Sequence, residues 1–235
     1  MPTVRLLPYI QVSGISQFCL SVSHATENTP NALNCLAHFF GMNDTILPLF
    51  HCQPDHGDGD RETERQGHQR RLDAMGIKYK SLHVGSNGSC YLNLSGMVIT
   101  DLSPLAELPL THLCLQGCHA ITMFSPLKDM SLTWLNLCRT RIKDLTPPAK
   151  LPLSHLDLHR TGTNNLKALQ GVPLRSLDIR FTKITDVSPL KEMLLEELSL
   201  YPRRIEQGLQ SLRGIASLKK INRRPAEGFW ERYGR

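Results

Sequence analysis

The residues able to do chemistry fall into three groups. Cys35-x-x-His38 and, after a gap of 12 residues, His51-Cys52 offer four sulfur and nitrogen donors, with His56, Asp58 and Asp60 close behind. Zinc takes tetrahedral sets of such donors. Adjacent His-Cys is poor geometry for two ligands, however, and no finger spacing is met, so this stretch reads as a surface loop or cap and no metal or cofactor is expected. Cys114 and Cys138 recur near His155 and His159 in a second group. A Cys–His nucleophile needs direct contact and an oxyanion site. An open sheet with no implied pocket or lid supplies neither, and no enzymatic activity is expected. The third group is electrostatic: Arg203, Arg204, Arg213, Lys219, Lys220, Arg223, Arg224, Arg232 and Arg235 stand against three glutamates in residues 203–235. Such an end is an alternative contact for nucleic acid or an anionic membrane surface. No base-stacking aromatics are interleaved with these charges, so a solvated basic face is preferred and nucleic acid is not the expected partner.

Composition bounds the elements that must position these groups. The chain has 235 residues, 40% apolar and 20% charged, which excludes global disorder. The net charge of +6 belongs to the second part: residues 1–80 hold 7 basic and 8 acidic side chains, residues 81–235 hold 20 and 13. No apolar run approaches the roughly 18 residues of a membrane-spanning helix. Seven cysteines with no CxxC form an odd set, which favours reduced thiols and a cytoplasmic setting. The Leu6 to Val22 stretch after Arg5 is interrupted by Gln11, Ser13, Gly14, Ser16 and Gln17. It reads as a strand rather than a secretory signal, secretion being the minority alternative.

A period of 21 to 22 residues organises the second part. The unit L-x-x-L-x-L begins at Leu110, Leu132, Leu153, Leu174 and Leu195, with a weaker copy at Leu92 and Leu94. Each alternating pair predicts a short strand with its leucines inward. The second half of the unit, Ile99-Thr-Asp-Leu-Ser-Pro-Leu105, recurs from Ile121, Ile142 and Ile184. Ser/Thr-Pro predicts a helix start in which the hydroxyl accepts a backbone N–H, so the convex side should carry 3₁₀ segments or single helical turns. The unit at Thr163–Ala168 lacks Ser-Pro and predicts a looser turn. Cys118, Thr140, Thr161 and Thr182, three residues after the second inward position, are small enough to stack inside. These features identify a leucine-rich repeat: an α/β solenoid with short parallel strands on a concave face. The expected organisation is an N-terminal segment at 1–80 (cap, linker or partly disordered), about six rungs at 81–202, and a helical C-terminal cap at 203–235. The apolar residues Ile205, Leu209, Leu212 and Ile215 recur at helical spacing, and Phe229, Trp230 and Tyr233 supply the plug. Upstream, 32–40 reads as a short buried helix, and the polar run to Arg71 as an exposed linker or a helix ending before Gly76.

Residues flanking the inward leucines face the concave surface in three columns, with neighbouring rungs about 4.8 Å apart. His112, Trp134 and His155 share the first, Asn136, Asp157 and Asp178 the second, and His159, Arg180 and Tyr201 the third. An exposed Trp134 between two histidines would be the binding anchor. Asp157 above Asp178, beside His159 and Arg180, would hold a basic side chain of a partner. The expectation is a monomeric, non-catalytic module that binds a protein through this face.

The repeat units, closed by Leu218-Lys-x-Ile-Asn222 and Pro225-Ala-x-x-Phe-Trp-x-x-Tyr233, resemble repeat regions C-terminal to serine/threonine protein kinase domains in planctomycete and verrucomicrobial bacteria. The likeness covers about residues 88–235. It implies an interaction module, read in one alternative as a detached recognition tail of such a kinase. It implies no activity, because the chain holds no glycine-rich loop with a strand lysine, no His-Arg-Asp loop and no Asp-Phe-Gly. Leu158-His159-Arg160-Thr161 has Thr where the catalytic base would stand. The 22-residue D-L-S-P-L unit is also similar to the internalin-type repeat.

Overall fold

The computed structural model describes residues 58–233. The signal-like Leu6 to Val22 stretch, the 32–40 helix and the Cys35, His38, His51, Cys52 and His56 donors lie outside the described residues. Helix α1 (Asp58–Ala74) opens with acidic residues, ends near Arg70 and Arg71, and so matches its own dipole. It stops where Gly76 turns left-handed at φ 66°, with Ile77 N donating to Leu72 O at 2.9 Å. Leu72 is the fully buried anchor of this otherwise polar helix.

Nine strands follow among the described residues and form one sheet in chain order. They are β1 (Ser81–Val84), β2 (Cys90–Asn93), β3 (His112–Cys114), β4 (Trp134–Asn136), β5 (His155–Asp157), β6 (Ser176–Asp178), β7 (Glu197–Ser199), β8 (Lys220–Ile221) and β9 (Arg224–Pro225). Strands β2 to β8 pair in parallel, and antiparallel hairpins β1–β2 and β8–β9 close both ends. Leu92, Leu113, Leu135, Leu156, Leu177, Leu198 and Ile221 stand in exact register down the sheet, each at most 1% exposed. A one-residue slip would turn every one of these side chains to the opposite face.

The convex side carries 3₁₀ segments at Ser103–Glu107, Ser125–Asp129, Pro148–Lys150, Lys167–Leu169 and Ser188–Leu190. Their start differs from the expected one. The Ser and Thr hydroxyls do not cap; at three of the five segments, the carboxylate two residues upstream accepts the backbone N–H. Asp101 takes Ser103 N at 2.8 Å, Asp144 takes Thr146 N at 2.9 Å and Asp186 takes Ser188 N at 2.8 Å. Asn165 does the same for Lys167 N at 2.7 Å, so the turn without Ser-Pro is as regular as the others. Asx side chains mimic a backbone turn at this spacing. Inside the next bend, Thr140, Thr161 and Thr182 each donate a hydroxyl to the carbonyl three residues back at 2.7 Å, and the Cys118 thiol donates to Leu94 O at 3.0 Å.

The C-terminal end is also corrected. Residues 205–215 do not form one helix. They continue the repeat through a 3₁₀ segment at Gln210–Gly214, which leads to the parallel strand β8. Only α2 (Ala226–Tyr233) is a helix here, and it presses Phe229 into the core with Trp230 and Tyr233 beside it. Gly208 (φ 80°) sits so close to the preceding rung that a Cβ there would overlap the backbone of Ser188, whereas Gly171 (φ 81°) has open space. Both conformations cost an alanine about 1 kcal/mol, and only Gly208 adds a backbone clash. Gly208→Ala should therefore lower unfolding free energy by at least about 2 kcal/mol more than Gly171→Ala in urea titrations. Equal losses would mean that the contact between the last two convex turns does not limit stability.

Candidate functional site

The parallel register delivers the three concave columns. His112, Trp134 and His155 are direct neighbours on successive strands, as are Asn136, Asp157 and Asp178. What each column does differs from expectation.

In the first column Trp134 is not an exposed anchor: it is 3% exposed. It stacks on His112 with ring centroids 6.2 Å apart, and Tyr91 closes on it at 6.1 Å. The accessible part of the stripe is therefore Tyr91, His112 and His155, all half-buried. The preceding hydroxyls fix both imidazoles, Thr111 Oγ1 lying 2.8 Å from His112 Nδ1 and Ser154 Oγ 2.8 Å from His155 Nδ1. Burial lowers the pKa of both rings, which leaves a neutral aromatic–imidazole stripe at pH 7.

The second column is structural. Asn93, Asn136, Asp157 and Asp178 are buried, and each Oδ1 accepts the backbone N–H two residues on, at 2.9, 2.8, 2.7 and 2.9 Å. Asn222 bonds across to Leu200 N at 2.9 Å. Asp178 does not await a partner's cation, because the Arg180 guanidinium holds it with Nη2–Oδ2 at 2.5 Å and Nε–Oδ1 at 3.1 Å. Burial, and then the neighbouring Asp178 charge, pushes the Asp157 carboxyl up to about 7.

The third column brings a thiol and an imidazole together, with Cys138 Sγ 3.3 Å from His159 Nδ1. That is the spacing of a nucleophile and its base. Yet burial pushes the Cys138 thiol up to about 12, and the His159 imidazole lies below its ordinary value for the same reason. Both are neutral at pH 7, the reverse of the thiolate–imidazolium pair that attacks carbonyls. The described cysteines Cys90, Cys114, Cys118 and Cys138 are buried and form no disulfide. Among the described residues no cluster of His, Cys, Asp and Glu could hold a metal ion.

Tyr201, 40% exposed, belongs to a feature that the column analysis missed. Phe181, 46% exposed, meets His159 edge-on at 5.1 Å and Tyr201 at 4.7 Å, with the Arg160 guanidinium 5.0 Å over its ring. Phe181, Tyr201, Arg203 and Arg204 line an open pocket of about 400 Å³. Aromatics are thus interleaved with the basic end after all, by residues that precede it in sequence. The signal lay in one position per rung. Gly96 and Gly117 take positive φ (71° and 72°), and Arg139, Arg160 and Phe181 take the same conformation (56°, 56° and 57°) without being glycine.

No family profile matches the chain, and the search of curated proteins returned no match. Among solved structures, an internalin (inlF) from Listeria monocytogenes is 28% identical over 53% of this chain and 38% of that one, with a TM-score of 0.47. This chain thus spans well under half of that structure's length. Internalin C2 (inlC2) from the same species is 23% identical over 65% of this chain and 70% of that one, with a TM-score of 0.52. The second likeness bears on the fold, and it agrees with the in-register ladder above: the protein is a leucine-rich repeat solenoid. No helix among the described residues is long and apolar enough to cross a membrane.

Because the folded-state pKa of Asp157 is raised above its unfolded value of 3.8, the stability it contributes is fully present below 3.8 and lost as pH rises through about 7. Asparagine makes the same bond at 93 and 136 and carries no charge. Asp157→Asn should therefore raise the melting temperature at pH 8 by about 2–4 °C, with the gain vanishing by about pH 4. A variant no more stable than wild type at pH 8 would show that the fold already compensates this carboxylate.

Proposed function

We propose that this protein is a non-catalytic interaction module that binds a protein partner across its concave sheet, as a cytoplasmic monomer. The observation that supports this most is the neutral stripe of Tyr91, His112 and His155 over the buried Trp134. It is apolar enough to reward desolvation, polar enough to orient a partner, and held by strands whose register leaves it nowhere to relax. The internalin likeness supports the same fold-level reading, and the neutral Cys138–His159 pair argues against the nucleophile chemistry that its spacing suggests. The tail resemblance supports a recognition role alongside a serine/threonine kinase as the finer alternative.

The test is affinity capture from cells of the native species with wild type and with His112→Ala/His155→Ala. Trp134→Ala is unsuitable, since emptying a buried tryptophan site costs about 3–5 kcal/mol and confuses unfolding with lost contact. A partner retained by wild type and lost by the double variant, the two proteins melting alike, is the expected result. Capture should also weaken as pH falls below the ordinary imidazole value of 6.5, since protonation charges His112 and His155, two rungs apart on either side of Trp134, and removes the stripe's neutrality. Equal capture by both proteins at every pH would sink the concave reading.

A further inference from the structure

The edge of the sheet at which the parallel strands leave the concave face carries a feature the fold does not require. From β2 to β6 the turn after each strand uses a left-handed residue, and Gly96 and Gly117 supply it in the first two. Arg139 and Arg160 make the same turn with the same bond to the next rung, Arg139 N to His159 O at 2.9 Å and Arg160 N to Arg180 O at 3.0 Å. A side chain with positive φ is strained relative to glycine, so these two arginines cost the fold something that glycine would not, and only Arg160 returns a contact, over the Phe181 ring at 5.0 Å. Both are exposed, as are Arg203 and Arg204 farther along the same edge. Among the described residues, none of the four is paired with a carboxylate. A guanidinium presents a planar fork that matches carboxylate and phosphate, which an ammonium does not.

We propose that this edge is a second binding surface, which holds an acidic, extended polypeptide segment and seats one carboxylate- or phosphate-bearing side chain in the pocket of Phe181, Tyr201, Arg203 and Arg204. Arg160 lies on the Phe181 ring, and Arg204 Nη1 is aimed by Thr182 O at 3.5 Å, so guanidinium donors and an aromatic wall meet around one opening. The neighbouring acids do not compete for it: Asp178 is taken by Arg180, and Glu197 by Lys220 at 2.7 Å. A single-stranded nucleic acid fits less well, because base stacking needs free ring faces and Phe181 is already engaged by Arg160, His159 and Tyr201. This surface is separate from the concave stripe, and neither reading depends on the other.

Fluorescence anisotropy on the full chain tests it, with labelled peptides of equal length: alternating Ser-Glu, alternating Ser-Gln with one central phosphoserine, and unmodified Ser-Gln. A labelled oligothymidylate of similar charge completes the set. Wild type should bind one or both anionic peptides and not the neutral one, and the stronger of the two identifies carboxylate or phosphate as the seated group. Arg139→Gly/Arg160→Gly restores the residue used at Gly96 and Gly117, so it should melt no lower than wild type while losing about tenfold in affinity. Arg203→Ala/Arg204→Ala should lose at least as much, and His112→Ala/His155→Ala should lose nothing. Neither anionic peptide binding above the neutral one, the glycine variant binding like wild type, or oligothymidylate binding tighter than both peptides would each overturn the proposal.

Discussion

Everything in this molecule depends on one repeated contact: the inward aliphatic side chain of each strand resting on its counterpart in the next. From Leu92 to Ile221 the column has no gap, and no rung could bury its own face without a neighbour. Leucine is branched at Cγ and fills the width of a rung, so the spacing that packs these side chains also satisfies the parallel hydrogen bonds. The outward columns inherit that spacing. Any surface this protein offers to a partner is therefore a rigid print of its core.

A stack held together by nearest neighbours is vulnerable at its ends, and the two ends are treated alike. At each, a strand turns back antiparallel and a helix lies behind it. The antiparallel return pairs the outermost parallel strand and leaves the short strands β1 and β9 as the edges of the sheet, Pro225 in β9 having no N–H to offer another chain. The helices then cover the last apolar faces, with Leu72 at one end and Phe229 at the other. Polar residues inside the stack follow the same economy. Asx side chains stand at both turns of the repeat: on the convex side they start the 3₁₀ segments, and at the strand ends they take the N–H two residues on.

That double use explains why the concave acids were misjudged. A carboxylate at a strand end looks like a site for a basic partner, but at 157 and 178 it is first a turn acceptor buried against its neighbours. Asparagine at 93 and 136 performs the same task. The charge is thus incidental to the turn, and its cost is visible in the raised pKa of Asp157. Among the described residues, the surfaces proposed for binding are the neutral stripe toward the N-terminal end and the arginine-rich edge toward the C-terminal end.

The sequence by itself determined the period, the inward leucines, a short helical or 3₁₀ turn on the convex side and which residues share a column, because each of these follows from spacing along the chain. Only the tertiary structure decided which column members reach solvent. Trp134 is buried by His112 and Tyr91, residues one and two rungs away, and no local pattern records how far a large ring folds over its neighbours. It also decided that 205–215 continues the ladder, since apolar residues spaced three and four apart suit a helix and an irregular rung equally until β7 offers its edge. Most of all, it decided where the arginines gather. Arg139, Arg160 and Arg203 are scattered along the chain and lie along one edge only because the solenoid returns to that edge once per turn. The left-handed backbone of Arg139 and Arg160, the clue that singles those two out, is a three-dimensional fact that residue type conceals.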